Sequence, residues 1–274
     1  MLIDNNITQT VTCLAKALEY SAAAQALGGV LKTHIKLDTG MHRLGFAPQD
    51  IPKLITRLKR QTSVIPRSVF SHLAGSDSTQ FDAFTRHQIE TFECASEELQ
   101  AAFPHKILRH ICNTAGIERY PGAQFDMVRL GLGLYGVNPF TNKMLHNVST
   151  LKTTILQIRD VPQEDSVGYS RKGRLNRNSR IAAIPIGYAD GLNRRLGNGH
   201  AYCLVNGQKA PYVGNICMDV CMIDVTDIDC QEGDKVIIFG EDLPVTTLAE
   251  VLETIPYEIL TSVSGRVKRI YYQD

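Results

Sequence analysis

Thr33-His34-Ile35-Lys36-Leu37, followed at once by Asp38-Thr39-Gly40, is the stretch on which the fold turns. Its first five residues read as a strand, and the polar residues and glycine behind them read as the strand's exit. The same punctuation recurs. Ser68 to Ser71 runs into His72, Lys106 to Ile111 runs into Asn113-Thr114, and Asp126 to Leu130 runs through Arg129 into Gly131-Leu132-Gly133. Helical periodicity lies between and before these strands. Val11 to Leu27 carries Leu14, Leu18, Ala22 and Ala23 on one face and stops at Gly28-Gly29. Ile51, Leu54, Ile55 and Leu58 follow helical spacing, and residues 80–103 predict a long helix with Phe84, Ile89, Phe92, Leu99 and Phe103 as its stripe. Strands alternating with helices predict a parallel sheet. In a βα barrel, the polar C-terminal strand ends are where a site is built.

Four such units amount to about half of an eightfold barrel. The expectation is therefore α/β plus β: an incomplete (β/α)8 barrel over residues 1–146, then a mostly β domain over 147–274. Half a barrel leaves two open sheet edges, so this reading expects further barrel sequence upstream. After residue 146 short alternating runs appear at 153–158, 180–186, 203–205, 220–225 and 235–239, separated by turns such as Asn206-Gly207 and Glu232-Gly233-Asp234. Two short helices near 248–252 and 257–262 and a last strand, Val267 to Tyr271, complete the expectation.

Composition narrows the function classes. The 274 residues carry 29 basic and 28 acidic side chains, a net charge of +1, which argues against a nucleic-acid surface or a polyanionic partner. No apolar run approaches the roughly 20 residues that span a bilayer, and residues 1–6 show neither a basic nor an apolar leader region. A cytoplasmic protein without membrane contact is expected. The seven cysteines are scattered; Cys217 and Cys221 are four apart, unlike a zinc or redox CxxC pair, so reduced thiols packed as small apolar groups and no metal site are expected.

Several segments gather chemistry. Lys36 to Gly45 places a lysine, an aspartate and Arg43 around a tight strand exit; by itself this also fits a solvated loop with a salt bridge. His72 follows an apolar strand, where histidines are commonly structural. His110 and Cys112 share a strand face, and Asn113 or Thr114 can cap a helix whose free N–H groups suit a phosphate. Arg129 followed by glycines suits an anion or a ring nitrogen approached closely by backbone. Ile184 to Gly191 and Gly214 to Asp219 read equally well as plain β-turns.

Taken together, the strings KLDTGMHRLGF (36–46), HICNTAGIERYPGAQFDMVRLGLGLYG (110–136), SVGYSRKGR (166–174), IPIGYADG (184–191) and GNICMDVCMIDV (214–225) resemble the alanine racemase family in order and spacing, from residue 33 almost to the end. Their wording is especially similar to racemase halves fused to a cell-wall precursor ligase. The resemblance implies pyridoxal 5'-phosphate as cofactor, alanine as substrate, D-alanine supply for peptidoglycan, and a head-to-tail homodimer in which one subunit's barrel mouth meets its partner's β domain. It implies Tyr169 as the catalytic tyrosine, nineteen residues before Tyr188 at the substrate entrance. It implies His72 beside the pyridoxal ring, Arg129 at the pyridine nitrogen, and His110 behind that arginine. Asn113, Thr114, Gly131 and Leu132 correspond to phosphate contacts, Tyr257 to a phosphate and gate tyrosine, Arg43 and Met218 to contacts with the substrate carboxylate, and Lys36 to a lysine that the family often carbamylates. Thr114 stands where serine is common.

Racemisation needs an acid/base group on each face of the α-carbon. A tyrosine needs positive charge nearby to serve as one, and Arg43 is a source. In the resembling family the other group is the cofactor lysine, in a motif like VxKADAYGHG. Nothing of that form occurs here, and Lys32 and Lys36 belong to the KLDTGM strand. The chain alone is thus expected to be inactive. The competing readings are a racemase for another amino acid, such as serine, and a non-catalytic binding or dimerisation module; the retained Tyr169, Arg129 and Arg43 speak against the module.

Overall fold

The computed structural model describes residues 1–272. The chain divides into two units: residues 1–133 with 138–141, and residues 134–137 with the chain from Asn142 onward.

The first unit runs β1 (Gln9–Val11), α1 (Leu14–Ala26), β2 (Leu31–Lys36), α2 (Ile51–Lys59), β3 (Val64–Phe70), α3 (Asp82–Ala101), β4 (Leu108–His110) and α4 (Thr114–Arg119). The strands pair in sequence order, β1-β2-β3-β4, and every pairing is parallel. Ile35 and Val69, fully buried, pack with Leu54, Phe92 and Leu99 of the helices. The helix stripes differ in part from the expected ones. In α1 the buried residues are Ala17 and Ala24, while Leu18 stays 47% exposed. In α3 Phe84 is exposed and Thr85, Gln88, Phe92, Ala95, Ser96 and Leu99 face inward. Small side chains let these helices lie close to the sheet, and bulk alone misidentifies the face.

Two expectations fail here. Val11, expected to start the first helix, instead ends β1, which pairs with β2. Asp126 to Leu130 is no strand. Its N–H groups reach β4 and its exit only at Asp126 to Arg109 (3.1 Å) and Arg129 to Cys112 (3.0 Å), three residues apart on both sides. A parallel ladder bonds at every second residue, so this spacing breaks the repeat. Phe125, with φ +48°, turns the chain just before it.

The second unit holds β5 (Leu151–Thr154), β6 (Gln157–Val161), β7 (Ser166–Val167), β8 (Gly173–Arg174), β9 (Ser179–Ile184), β10 (Tyr202–Val205), β11 (Gln208–Val213), β12 (Cys221–Asp224), β13 (Lys235–Phe239), α5 (Val245–Leu252) and α6 (Pro256–Ser262). Seven strands form one antiparallel sheet in the order β5-β13-β10-β11-β12-β9-β6. The expected strand 153–158 is in fact two strands. Ile155 donates to Asp234 beside β13 and Leu156 donates to Ala183 in β9, so the chain changes neighbours between consecutive residues. β5 and β6 are the sheet's two edges, joined by two residues that can span only about 10 Å. The sheet must therefore curl until its edges meet. The expected last strand at 267–271 is absent. Val267 N–H and the Arg269 guanidinium both return to the Ser264 carbonyl, which makes a turn.

Candidate active site

Parity along the parallel strands builds the first half of the site. His34 lies opposite Ser68, Lys36 opposite Phe70, and Phe70 opposite His110. Side chains alternate across a sheet, so these five share the face turned away from Ile35 and Val69. On it Phe70 and His110 stack at 5.0 Å and 5°, and Lys36 Nζ lies 4.7 Å from the Phe70 ring centre.

Arg129 reaches this face from the irregular segment. Its Nη1 donates to His110 Nδ1 (2.7 Å) and the His110 carbonyl (3.2 Å). Its Nη2 donates to the carbonyls of Ser71 (2.6 Å) and Ile111 (3.1 Å) and meets His72 Nδ1 at 3.3 Å. Among the described residues no acceptor meets its Nε–H. Burial, with the Arg129 charge next in weight, brings the pKa of His72 and of His110 down to about 4. Burial, then Arg129 and Arg43, lowers Lys36 to about 8. One permanent cation thus sits between two neutral imidazoles.

The loop after β2 folds back on its own strand. Asp38 donates to the Phe46 carbonyl and Phe46 to that of Lys36, each at 2.8 Å. Gly45, at φ +130°, passes so close that a Cβ there would lie 2.6 Å from the Leu37 carbonyl carbon. Asp38 Oδ1 accepts from the Gly40 and His42 N–H groups (3.1 and 2.9 Å). Burial would raise the Asp38 carboxyl, but these donors hold it below the usual carboxylate range. Arg43 stands exposed at the tip of this loop.

Asn113 caps α4, its Oδ1 accepting from Gly116 N–H at 3.0 Å. Thr114 Oγ1 accepts from Gly131 N–H (2.9 Å) and Gly133 N–H (3.3 Å), with Leu132 buried between them. Two backbone donors therefore converge beside a hydroxyl. Sequence reasoning missed Ser71 and Gln88 here. Gln88 is fully buried; its Oε1 accepts from Ala74 N–H (2.9 Å) and its Nε2 donates to the His72 carbonyl (3.2 Å), gripping the backbone around His72. The available signal was a polar residue one helical turn before Phe92, on the buried stripe.

The second unit carries Tyr169, Tyr188 and Met218 on turns and Tyr257 on α6. Tyr169 is 71% exposed. Gly168 (φ +77°), Ser170 (φ +56°) and Arg171 (φ +52°) surround it in left-handed backbone, an arrangement that costs non-glycine residues of order 1 kcal/mol each. Its carbonyl accepts from Asn215 Nδ2 at 3.3 Å. Tyr188 N–H donates to the Cys217 carbonyl and Ala189 N–H to the Met218 carbonyl, both at 3.0 Å, so Tyr188 and Met218 are neighbours. A Cβ on Gly187 would stand 2.3 Å from the Met218 carbonyl oxygen, so glycine is required for that approach. Arg266, also missed, pairs with Asp190 and Asp219 at 2.7 Å each and ties the two turns together. A cavity of about 280 Å³ opens beside Tyr188, lined also by Asn193, Arg194 and Glu258. Tyr257 on α6 meets Tyr135 edge-on, ring centres 5.9 Å apart. The cysteines are all free, with Cys112, Cys203, Cys221 and Cys230 buried.

Known proteins resemble this chain over its whole length. The family model described as "Alanine racemase, N-terminal domain" matches residues 1–139, and "Alanine racemase, C-terminal domain" matches 148–271. "Alanine racemase 1" of Clostridium acetobutylicum is 38% identical, over 100% of this chain and 73% of its own. "Alanine racemase" of Clostridium novyi is 39% identical with the same coverage. Among solved structures, alanine racemase of Clostridium difficile 630 superposes with a TM-score of 0.90 at 33% identity, over 99% of this chain and 72% of that one. The Bartonella henselae alanine racemase, described with covalently bound pyridoxal phosphate, gives 0.84 at 30% identity, over 99% and 75%. These matches define the class as an isomerase with a barrel domain followed by a mostly β domain. The chain belongs to the alanine racemase family, whose members depend on pyridoxal phosphate.

Proposed function

We propose that this chain serves the pyridoxal-phosphate-dependent interconversion of L- and D-alanine, with D-alanine destined for peptidoglycan. The observation that carries this reading is the guanidinium of Arg129. Its Nη groups are all spent on His110, His72 and backbone carbonyls, and its Nε–H has no acceptor among the described residues. A single fixed donor beside two neutral imidazoles fits the unprotonated nitrogen of a pyridine ring. Thr114, Gly131 and Leu132 with Asn113 fit its phosphate through hydroxyl and backbone donors, and Tyr257 would add a phenol.

When bound, the cofactor supplies an electron sink for the negative charge left at the α-carbon. The chain's own residues do the rest. An always-charged Arg129 keeps the pyridine nitrogen from accepting a proton, which weakens that sink and limits side reactions such as transamination. His72 would stand beside the ring, and His110 holds the arginine. Arg43 and Met218 receive the substrate carboxylate. Tyr169 takes and returns the proton on the L-face, and Tyr188 lines the entrance. Lys36 is suited to carbamylation because burial leaves about a tenth or more of its amine neutral near pH 7 to 8; the resulting anion would hold Arg43.

The finer architecture, part of a (β/α)8 barrel, is supported by strand order, since β1-β2-β3-β4, with β1 in place of the expected strand at 126–130, never reverses as a doubly wound sheet does. A head-to-tail dimer would bring one subunit's Tyr169 to its partner's Arg129. No described helix is long and apolar enough to cross a membrane, and a cytoplasmic location is part of the proposal. The 274 residues contain no VxKADAYGHG-like string, so the chain by itself is proposed not to turn over alanine. The test joins it to the lysine-bearing segment of a relative, adds pyridoxal phosphate and L-alanine, and follows D-alanine. D-alanine from the joined protein and none from the chain alone is expected. Turnover on the order of 10 s⁻¹ by the chain alone would remove the inactivity proposal, and none from the joined protein would remove the racemase reading.

A further inference from the structure

Behind Arg129 the hydrogen bonds continue. His110 Nε2 lies 3.2 Å from Ser68 Oγ, and Ser68 Oγ lies within hydrogen-bond distance of His34 Nδ1. The direction of each bond follows from the first. A guanidinium only donates, so at 2.7 Å His110 Nδ1 must be the bare, accepting nitrogen. The neutral His110 ring then carries its proton on Nε2 and donates it to Ser68 Oγ. The serine's own proton is left for His34 Nδ1, and His34 in turn keeps its proton on Nε2. Ser68 is 1% exposed and His110 4% exposed, so neither can exchange these partners for water. The register makes the chain possible, because His34 and Ser68 are cross-strand partners and Phe70, two residues on, stacks against His110.

We propose that Ser68 and His34 are positioning residues for Arg129: they fix the tautomer and ring orientation of His110, and so the direction in which the guanidinium presents Nε–H. Without an acceptor at Ser68, the His110 ring gains nothing from keeping its proton on Nε2. It can then turn over or change tautomer, and a proton on Nδ1 would face the Arg129 donor and push it away. Ser68 acts through two other groups and touches neither substrate nor cofactor. The use made of Arg129 rests on the cofactor reading above, but the bond chain does not.

The experiment therefore uses the full chain without cofactor. Histidine-labelled protein is examined by ¹⁵N NMR for the tautomers of His110 and His34, and for solvent exchange of the His110 Nε2 proton. The native chain is expected to show both rings as Nε2–H tautomers, with a protected His110 proton. Ser68→Ala should speed that proton's exchange about tenfold, the worth of roughly one hydrogen bond, and mix the His110 tautomers. Ser68→Thr, which keeps the hydroxyl, should restore both. His34→Phe should give a smaller change of the same kind. A native His110 protonated on Nδ1 would overturn the proposal even without a variant. So would a Ser68→Ala protein whose His110 signals match the native ones. Failure of pyridoxal phosphate to bind would remove the cofactor reading and leave these results standing.

Discussion

The parallel unit and the β domain hold their candidate site side chains by opposite means. In the first, Arg129, His110, His72 and Lys36 are fixed by side chains and carbonyls around them, Lys36 and His110 buried and Arg129 and His72 half-buried, with pKa values displaced by burial. In the second, Tyr169, Tyr188 and Met218 are 71%, 45% and 53% exposed and are placed by backbone: left-handed residues, a close-passing glycine and turn hydrogen bonds. The contrast fits a division of labour. A ring to be bound needs a preorganised cradle, whose donors cost no reorganisation when the ligand arrives. A proton carrier needs an unobstructed hydroxyl on a rigid turn. One unit should therefore lose stability with its site residues, and the other should not.

The largest expected effect is on catalysis from the exposed side. In the chain joined to a lysine-bearing segment, Tyr169→Phe should slow α-proton exchange of L-alanine in heavy water by about 10²–10⁴-fold, the usual loss for a general base. Exchange from D-alanine should persist, because the other face keeps its own acceptor. The denaturation midpoint should stay unchanged, since Tyr169 is 71% exposed and its hydroxyl makes no hydrogen bond among the described residues. Unaltered L-alanine exchange would take Tyr169 out of the mechanism and point to Tyr188.

Next comes Arg129→Ala, which breaks the other side of the comparison. It strands the Ser71 and Ile111 carbonyls and two imidazole nitrogens at once. A loss of about 3 kcal/mol in urea unfolding is expected, together with loss of pyridoxal phosphate binding followed by absorbance. A fully stable variant would show that the cradle is not internally braced.

The smallest effect sharpens the comparison through pH. His34, His72 and His110, whose pKa values burial lowers, all belong to the first unit, the latter two falling to about 4. Between roughly pH 6.5 and 4 the unfolded chain binds protons at these rings that the native chain refuses. Their contribution is complete above pH 6.5 and is lost as pH falls towards 4. Amide hydrogen exchange at pH 5 should show the parallel unit opening more readily than at pH 6.5, with the β domain less affected. Equal loosening of both units would contradict this.

Local pattern was enough to place α2 and α3, which repeat helical spacing over many residues, and it found part of β2 and of β3, expected at 33–37 and 68–71 and observed at Leu31–Lys36 and Val64–Phe70. It failed where the evidence is short or non-local. β1 is three residues long, and only its pairing with β2 makes it a strand. Asp126 to Leu130 has strand composition but no ladder. Residues 153–158 look like one strand because the switch of neighbours between Ile155 and Leu156 leaves no mark in hydrophobicity.

The sequence by itself determined the family and the alternation of helices and strands, and it singled out Arg129, His110, His72 and Tyr169 as candidates, since chemistry carried in contiguous strings survives without coordinates. Only the tertiary structure decided that Gln88 grips the backbone at His72, that Arg266 joins two turns 29 residues apart at Asp190 and Asp219, and that Ser68 stands between two histidines. The reason is physical. A hydrogen bond between side chains depends on register and on which face each residue occupies, and those are settled when strands pair, not when residues follow one another in the chain.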